Sequence, residues 1–131
     1  MTMTRTPVDL RSDLLTRPTE QMIAAMTEAA RGPATFGLRE DADVQRLEAR
    51  VATELGHEDA LFCPTCTQAN QIAIHLHCRP GDSLAAEAHS HVFTSEAGSL
   101  SALSGVMPVP VPGYRGIMEL GELQAALNAG D

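Results

Sequence analysis

ALFCPTCTQANQIAIHL, residues 60–76, contains the pattern on which the predicted fold class depends. It opens with a short apolar run from Ala60 to Cys63, which has the length of a buried strand. After a turn, apolar residues recur from Ala69 to Leu76 at three- and four-residue spacing, which is typical of a helix. The segment therefore predicts a strand, a tight loop and a helix, the first part of a βαβ unit.

The pattern continues towards the C-terminus. Val106 to Val111 alternates apolar residues with two prolines and predicts an edge strand or strand end, since a central strand tolerates proline poorly. Three further predicted segments are a buried strand at Ser83–Ala86, a short helix at Phe93–Leu103 ending near Gly105, and a last helix at Glu119–Asn128. Strands alternating with helices indicate an α/β fold with a mostly parallel sheet and helices on both faces.

Two amphipathic helices are predicted upstream. The first begins after Pro18-Thr19 and ends at Gly32-Pro33; the second begins after Asp41 or Asp43 and ends at Gly56. Their apolar stripes consist of Met22, Ile23, Met26 and Ala30 in the first helix and Val44, Leu47, Val51 and Leu55 in the second. We expect both stripes to pack into a core.

The composition limits the class of protein. With 131 residues, 44% hydrophobic and 20% charged, the chain is a globular domain or part of one. A net charge of -8 argues against nucleic acid or an anionic membrane surface as a partner. The sequence has neither an apolar run of membrane-spanning length nor a signal peptide, so we expect a cytoplasmic location. The three cysteines do not suggest a secreted disulfide scaffold.

The loop Cys63–Thr67 is a candidate anion site. Amide groups at the start of a helix point outwards with the positive end of the helix dipole behind them, so such a turn binds phosphate. Thr65 and Thr67 add hydroxyl donors. A threonine-capped helix start without a ligand remains an alternative.

The same loop also has a thiol interpretation. Cys63 and Cys66 form a Cys-x-x-Cys pair, and His75, His77 and Cys78 follow, so a zinc site or a dithiol redox pair is a second hypothesis. On a helix His75 and Cys78 would share a face while His77 would point elsewhere, and a second cysteine pair is lacking. This hypothesis describes a non-enzymatic module that binds zinc, or phosphate or a cofactor.

Polar residues elsewhere are further candidates. His89-Ser90-His91 follows the Ser83–Ala86 strand, at the end where open α/β sheets bind ligands. Glu96 is interpreted as a helix-start carboxylate, which the dipole favours. The cluster Asp9–Asp13 precedes any regular element and is either an arm that reaches a site or a capped surface turn.

In this order, the motifs resemble the threonine aldolase and β-eliminating lyase family of fold-type-I pyridoxal-phosphate enzymes. The resemblance extends from Asp9 to about Leu127, and it depends on the order and spacing of several motifs rather than on any one of them. These motifs are Asp9-Leu-Arg-Ser-Asp, Arg46-Leu-Glu, Ala69-Asn-Gln, Cys78-Arg-Pro-Gly-Asp, His91-Val-Phe, Glu96-Ala-Gly and Ala102-Leu-Ser-Gly.

The resemblance implies specific roles. Thr65, Cys66 and Thr67 would hold the phosphate of pyridoxal 5'-phosphate, His91 would stack on its ring, and Ser12 would help to hold the substrate carboxylate. Family enzymes cleave a β-hydroxy amino acid such as threonine to glycine and an aldehyde, with the cofactor as electron sink. The resemblance also implies a homo-oligomer, a dimer or tetramer, whose site draws residues from two subunits.

The sequence departs from the family pattern at two important points. Thr65 and Cys66 stand where the phosphate loop usually has serine and glycine, and Cys66 would be strained if its position required a positive φ. Family enzymes hold the cofactor as a Schiff base on a lysine, yet all nine basic residues are arginine. We therefore expect residues 1–131 to be the N-terminal portion of one large cofactor-binding domain, with residues 1–17 as an arm. Such a fragment, without the rest of that domain and the small C-terminal domain, should be inactive alone.

Overall fold

The computed structural model describes residues 8–128, apart from the side chains of Asp13 and Leu38. The chain divides into two compact units, Met1–Phe62 and Cys63–Asp131. Most of the predicted arm, residues 8–17, falls in the described part of the first unit, whereas residues 1–7 lie outside the described residues. A short 3-10 helix, Asp13–Leu15, is the first regular element.

The first unit contains both predicted upstream helices, α1 at Glu20–Arg31 and α2 at Ala42–Leu55, with a 3-10 turn at Leu38–Glu40 between them. Helix α1 begins where Oγ1 of Thr19 accepts a hydrogen bond from the amide of Met22. Helix α2 begins where Oδ1 of Asp41 accepts from the amides of Asp43 and Val44 at 2.9 and 3.0 Å. It ends at Gly56, so Asp41 is the capping residue of the two that the sequence offered.

The apolar stripes of these helices do not pack as predicted. In α1, Met22, Ile23 and Met26 are all exposed, and in α2, Leu47 and Leu55 are exposed. Helical periodicity identifies an apolar face but does not specify what covers it. Within the described residues, the expectation that both stripes enter a core is therefore wrong.

The second unit alternates helices and strands. Its helices are α3 (Cys66–His77), α4 (His91–Thr94), α5 (Ser99–Ser104) and α6 (Leu120–Asn128). Its strands are β1 (Ser83–Glu87), β2 (Met107–Val111), β3 (Gly113–Tyr114) and β4 (Ile117–Met118). Strands β1 and β2 pair in parallel, with Ser83 opposite Met107 and Glu87 opposite Val111, while β3 and β4 form an antiparallel hairpin. The predicted parallel pairing is confirmed.

The prolines of β2 lie on one edge of the strand. The amide of Met107 donates to the carbonyl of Asp82, and the carbonyl of Val111 accepts from Ala88, so the odd-numbered residues face β1. Backbone groups of successive strand residues point in opposite directions, which places Pro108 and Pro110 on the far edge. Proline has no amide hydrogen, so that edge lacks donors at both positions, in agreement with the edge strand predicted from the sequence.

Two predicted elements differ from the structure. Residues 60–63 form no strand, and no described strand pairs with them; the amide of Phe62 donates instead to Oε1 of Glu48. The predicted helix at Phe93–Leu103 is divided into α4 and α5, because Ala97 and Gly98 adopt left-handed conformations (φ 51° and 75°) that interrupt a right-handed helix.

The core of the second unit lies where helices meet the parallel pair. Ile74 of α3, Leu100 of α5 and Val106 just before β2 are buried together, and Leu84 of β1 packs against them. This cluster packs α3 and α5 against β1, and His91 follows the carboxyl end of that strand.

Candidate active site

The N-terminus of α3 has the geometry of an anion site. Oγ1 of Thr65 accepts a hydrogen bond from the amide of Gln68 at 3.1 Å, so the helix begins at Cys66. The amides of Cys66 and Thr67 lie in the first turn, where the helix itself offers no carbonyl acceptor. Cys66 has an ordinary helical backbone with negative φ, so cysteine in place of glycine causes no backbone strain here. The loop can therefore receive an anion.

His91 is the first residue of α4 and follows the carboxyl end of β1. Its Nδ1 lies 2.8 Å from Oε1 of Glu96, while 57% of its side chain remains exposed. One edge of the imidazole is thus anchored, while more than half of the side chain is exposed.

Glu96 is the centre of this cluster. Its side chain is completely buried. Nδ2 of Asn70 donates to Oε1 at 2.8 Å and Nε2 of Gln71 donates to Oε2 at 2.7 Å, in addition to the contact with His91. Burial alone would raise the pKa of Glu96, but the hydrogen bonds from Asn70, His91 and Gln71 together lower it below its ordinary value. The carboxylate is therefore held ionised.

The same cluster connects the two predicted cofactor contacts. Asn70 lies three residues after Thr67 on α3, or about 4.5 Å along the helix axis, and its side chain shares an oxygen of Glu96 with His91. The structure thus joins the second turn of α3, about one turn beyond the predicted phosphate loop, to His91 through the carboxylate of Glu96. The sequence did not identify Glu96, Asn70 and Gln71 as a unit; the only local signal was an adjacent Asn-Gln pair beside buried apolar positions of a helix.

Ser12 lies in the first unit. Its Oγ accepts a hydrogen bond from the amide of Leu14 at 3.2 Å, which caps the 3-10 turn Asp13–Leu15. Nearby, the guanidinium of Arg11 binds Asp9 through two nitrogens and lowers the pKa of that exposed carboxyl. The role of Ser12 towards a substrate remains a prediction.

A groove of about 510 Å³ runs between α3 and α5. Its polar end contains Thr65, Thr67 and Gln71, and its apolar wall contains Leu76 and Leu103. His91 does not line it. The groove therefore includes Gln71 of the Glu96 cluster and both threonines of the predicted phosphate loop, but not His91 itself.

The thiol hypothesis gains no support from the described residues. None of Cys63, Cys66 and Cys78 forms a disulfide. No group of three or more His, Cys, Asp or Glu side chains within residues 8–128 is placed to hold a metal ion.

No helix in the described part of the chain is long and apolar enough to cross a bilayer.

The parallel pair β1 and β2, with helices α4 and α5 in the connection between them, defines an α/β protein. Comparisons with known proteins then identify the family. The family model described as β-eliminating lyase matches residues 9–131. The chain belongs to the β-eliminating lyase family.

Curated relatives agree with this assignment. Low specificity L-threonine aldolase of Saccharomyces cerevisiae is 47% identical over 104 residues, 79% of this chain and 26% of that protein. A probable low-specificity L-threonine aldolase 2 of Arabidopsis thaliana is 39% identical over 93% of this chain and 34% of its own length. The low specificity L-threonine aldolase of Escherichia coli K12 is 38% identical over 79% of this chain and 31% of its length. The chain thus spans about a quarter to a third of these relatives.

Proposed function

We propose that the protein is a pyridoxal-phosphate-dependent lyase that cleaves a threonine-like β-hydroxy amino acid to glycine and an aldehyde. One observation supports the proposal above all: Glu96 links His91 to Asn70 of α3, about one helical turn beyond the residues proposed to bind the phosphate. The family and the names of the relatives favour the same chemistry. Because the chain spans about a third or less of those relatives, the activity is proposed for the whole protein.

The first turn of α3 fits a phosphate group. The amides of Cys66 and Thr67 and the dipole of a 12-residue helix favour a dianion at this point. Oγ1 of Thr65 accepts from the helix, which leaves its hydroxyl hydrogen able to donate outwards. The half-buried Thr67 adds a second hydroxyl.

His91 fits the aromatic part of the same molecule. Its imidazole is anchored at Nδ1 and its side chain is more than half exposed, so we expect a planar ring to lie against it. When bound, the cofactor supplies the electron sink for the negative charge that develops on the α carbon. The residues of this chain bind the phosphate, orient the ring and keep a negative charge buried beside His91.

Residues 1–131 do not supply every group that the family's chemistry requires. The 131 residues include no lysine, so they do not supply the amine on which family enzymes hold the cofactor, and alone they should be inactive. Ser12 is proposed to bind the substrate carboxylate, in a homo-oligomer whose site draws on two subunits. A cytoplasmic location is part of the same proposal.

Two measurements on the purified whole protein test the proposal. The absorbance of added pyridoxal 5'-phosphate should change when the protein binds it. With the complete active site present, the protein should release glycine from threonine. His91→Ala should weaken cofactor binding, whereas His77→Ala, at an exposed position of α3, should not. Absence of binding, or equal losses in the two variants, would contradict the proposal.

A further inference from the structure

The bonding of Glu96 determines where the proton of His91 must lie. An ionised carboxylate only accepts hydrogen bonds. Since Oε1 of Glu96 lies 2.8 Å from Nδ1 of His91, the neutral imidazole must carry its hydrogen on Nδ1. The Nε2 atom is then left with its lone pair, and it belongs to a side chain that is more than half exposed.

The carboxylate is fixed independently of the histidine. Asn70 and Gln71 are adjacent residues of α3, and each donates to a different oxygen of Glu96. Both oxygens are therefore oriented by one rigid helix. A ring bonded to Oε1 therefore has that nitrogen held in place relative to α3, the helix whose first turn is the proposed anion site.

We propose that Glu96, held by Asn70 and Gln71, is a positioning residue that keeps the proton of His91 on Nδ1 and fixes its ring relative to the anion-binding turn of α3. The part of this inference that concerns the cofactor rests on the proposed function. The tautomer and orientation of His91 do not depend on it, because they follow from the hydrogen bonds of the chain itself.

Glu87 and His89 provide an internal comparison. Nδ1 of His89 lies 3.1 Å from Oε1 of Glu87, a pair of the same chemical type. His89 is 85% exposed, and Glu87 also accepts from the backbone amide of the same residue, so these bonds connect it to no second element. Glu87→Gln is therefore a matched control, since it removes a carboxylate beside a histidine but leaves α3 uninvolved.

The first experiment is 15N NMR of the histidine rings in the full chain, at a pH at which the imidazoles are neutral. Wild-type His91 should show the Nδ1–H tautomer. Glu96→Met, which has a similar shape but only a weakly accepting sulfur in place of the carboxylate, should convert it to the Nε2–H form. Glu87→Gln should leave His91 unchanged. A wild-type His91 that carries its hydrogen on Nε2 overturns the inference, and this result requires no variant to fold.

The second experiment is a double-mutant cycle on affinity for pyridoxal 5'-phosphate. If Glu96 acts through His91, Glu96→Met should weaken binding about tenfold, the loss expected for a charged positioning contact. In a His91→Ala background the same change should alter affinity by less than about twofold. Equal losses in both backgrounds would show that Glu96 is only structural.

The two experiments separate the inference from the proposed function. If the whole protein binds no cofactor but its His91 has the Nδ1–H tautomer, the proposed function is wrong and the positioning by Glu96 stands. If cofactor binds and the tautomer does not respond to Glu96→Met, the inference is wrong and the function stands.

Discussion

Asn70 and Glu96, 26 positions apart in the sequence, are joined by a side-chain hydrogen bond of 2.8 Å. This bond connects α3 to the turn between α4 and α5, where the chain buries a carboxylate that the fold keeps ionised. A buried charge is tolerated only if its oxygens are satisfied, so the surrounding amide donors should matter for stability.

Asn70→Ala tests this dependence. It removes one donor from a buried carboxylate and should lower the free energy of unfolding by about 1.5–3 kcal/mol. Gln68→Ala, an exposed amide in the first turn of the same helix, should change it by no more than about 0.5 kcal/mol. Chemical denaturation gives both values, and similar values for the two variants would mean that Asn70 contributes only as a surface residue.

Glu96 also predicts a pH dependence of stability. Because the pKa of Glu96 is lower in the folded chain than its ordinary value of 4.5, its ionised form stabilises the fold above about pH 4.5. This contribution is lost as the pH falls through the lower, folded pKa. Unfolding free energies of the wild type and Glu96→Gln should therefore converge as the pH is reduced from neutral through the folded pKa.

The acid response has a second contributor that must be measured separately. Hydrogen bonds from the ring and amide of His89 also lower the pKa of Glu87. Glu87→Gln should therefore remove a different part of the acid dependence.

The Glu96 prediction has its own contradicting outcome. If the free energies of unfolding of wild type and Glu96→Gln differ by the same amount at every pH, the folded chain does not favour ionised Glu96.

The turn that carries Glu96 depends on backbone conformation. Gly98 has φ 75°, and a Cβ at this position would meet no atom within 4 Å, so only the left-handed conformation opposes alanine. Gly98→Ala should lower the free energy of unfolding by about 1 kcal/mol. Gly121→Ala, in α6 and equally open, should instead raise it by about 0.5 kcal/mol, because alanine favours helix. Thermal or chemical unfolding measures the change in the free energy of unfolding for each variant. If both variants are stabilised, or both destabilised, the conformational argument is wrong.

The sequence predicted the elements whose signals are local. Helix α2 was predicted from a capping aspartate and a terminal glycine, and the structure uses Asp41 and Gly56 for these purposes. The structure also has the predicted strand at Ser83–Ala86, and it pairs with the proline-rich strand on one side only. Both features could be predicted because apolar runs and missing amide hydrogens can be read from a few adjacent residues.

The failures involve partners distant in sequence. Residues 60–63 have the apolar composition of a strand, but a strand needs a neighbour to pair with, and the described residues provide none. Ala97 has no sequence signal for a left-handed conformation, which is set by the surrounding tertiary structure. For the same reason Glu96 was interpreted as a dipole-favoured carboxylate: the donors that define its role come from 25 and 26 residues away.

Thr65 and Thr19 permit a test of the anion site that separates binding from stability. Both are N-caps whose Oγ1 accepts from an amide three residues later, at 3.1 Å for Thr65 and 3.2 Å for Thr19. Thr65→Ala and Thr19→Ala should each lower the free energy of unfolding by about 1 kcal/mol. Only Thr65→Ala should also weaken binding of pyridoxal 5'-phosphate, because only Thr65 is proposed to contact the phosphate.

Thr65→Ser completes the comparison. Serine retains the hydroxyl that caps the helix and donates outwards, so this variant should bind cofactor with nearly wild-type affinity. Titration followed by absorbance, with inorganic phosphate as competitor, measures the affinity at the helix terminus itself. If Thr65→Ala binds as well as Thr19→Ala, the hydroxyl of Thr65 only caps α3, and the phosphate must be held by other groups.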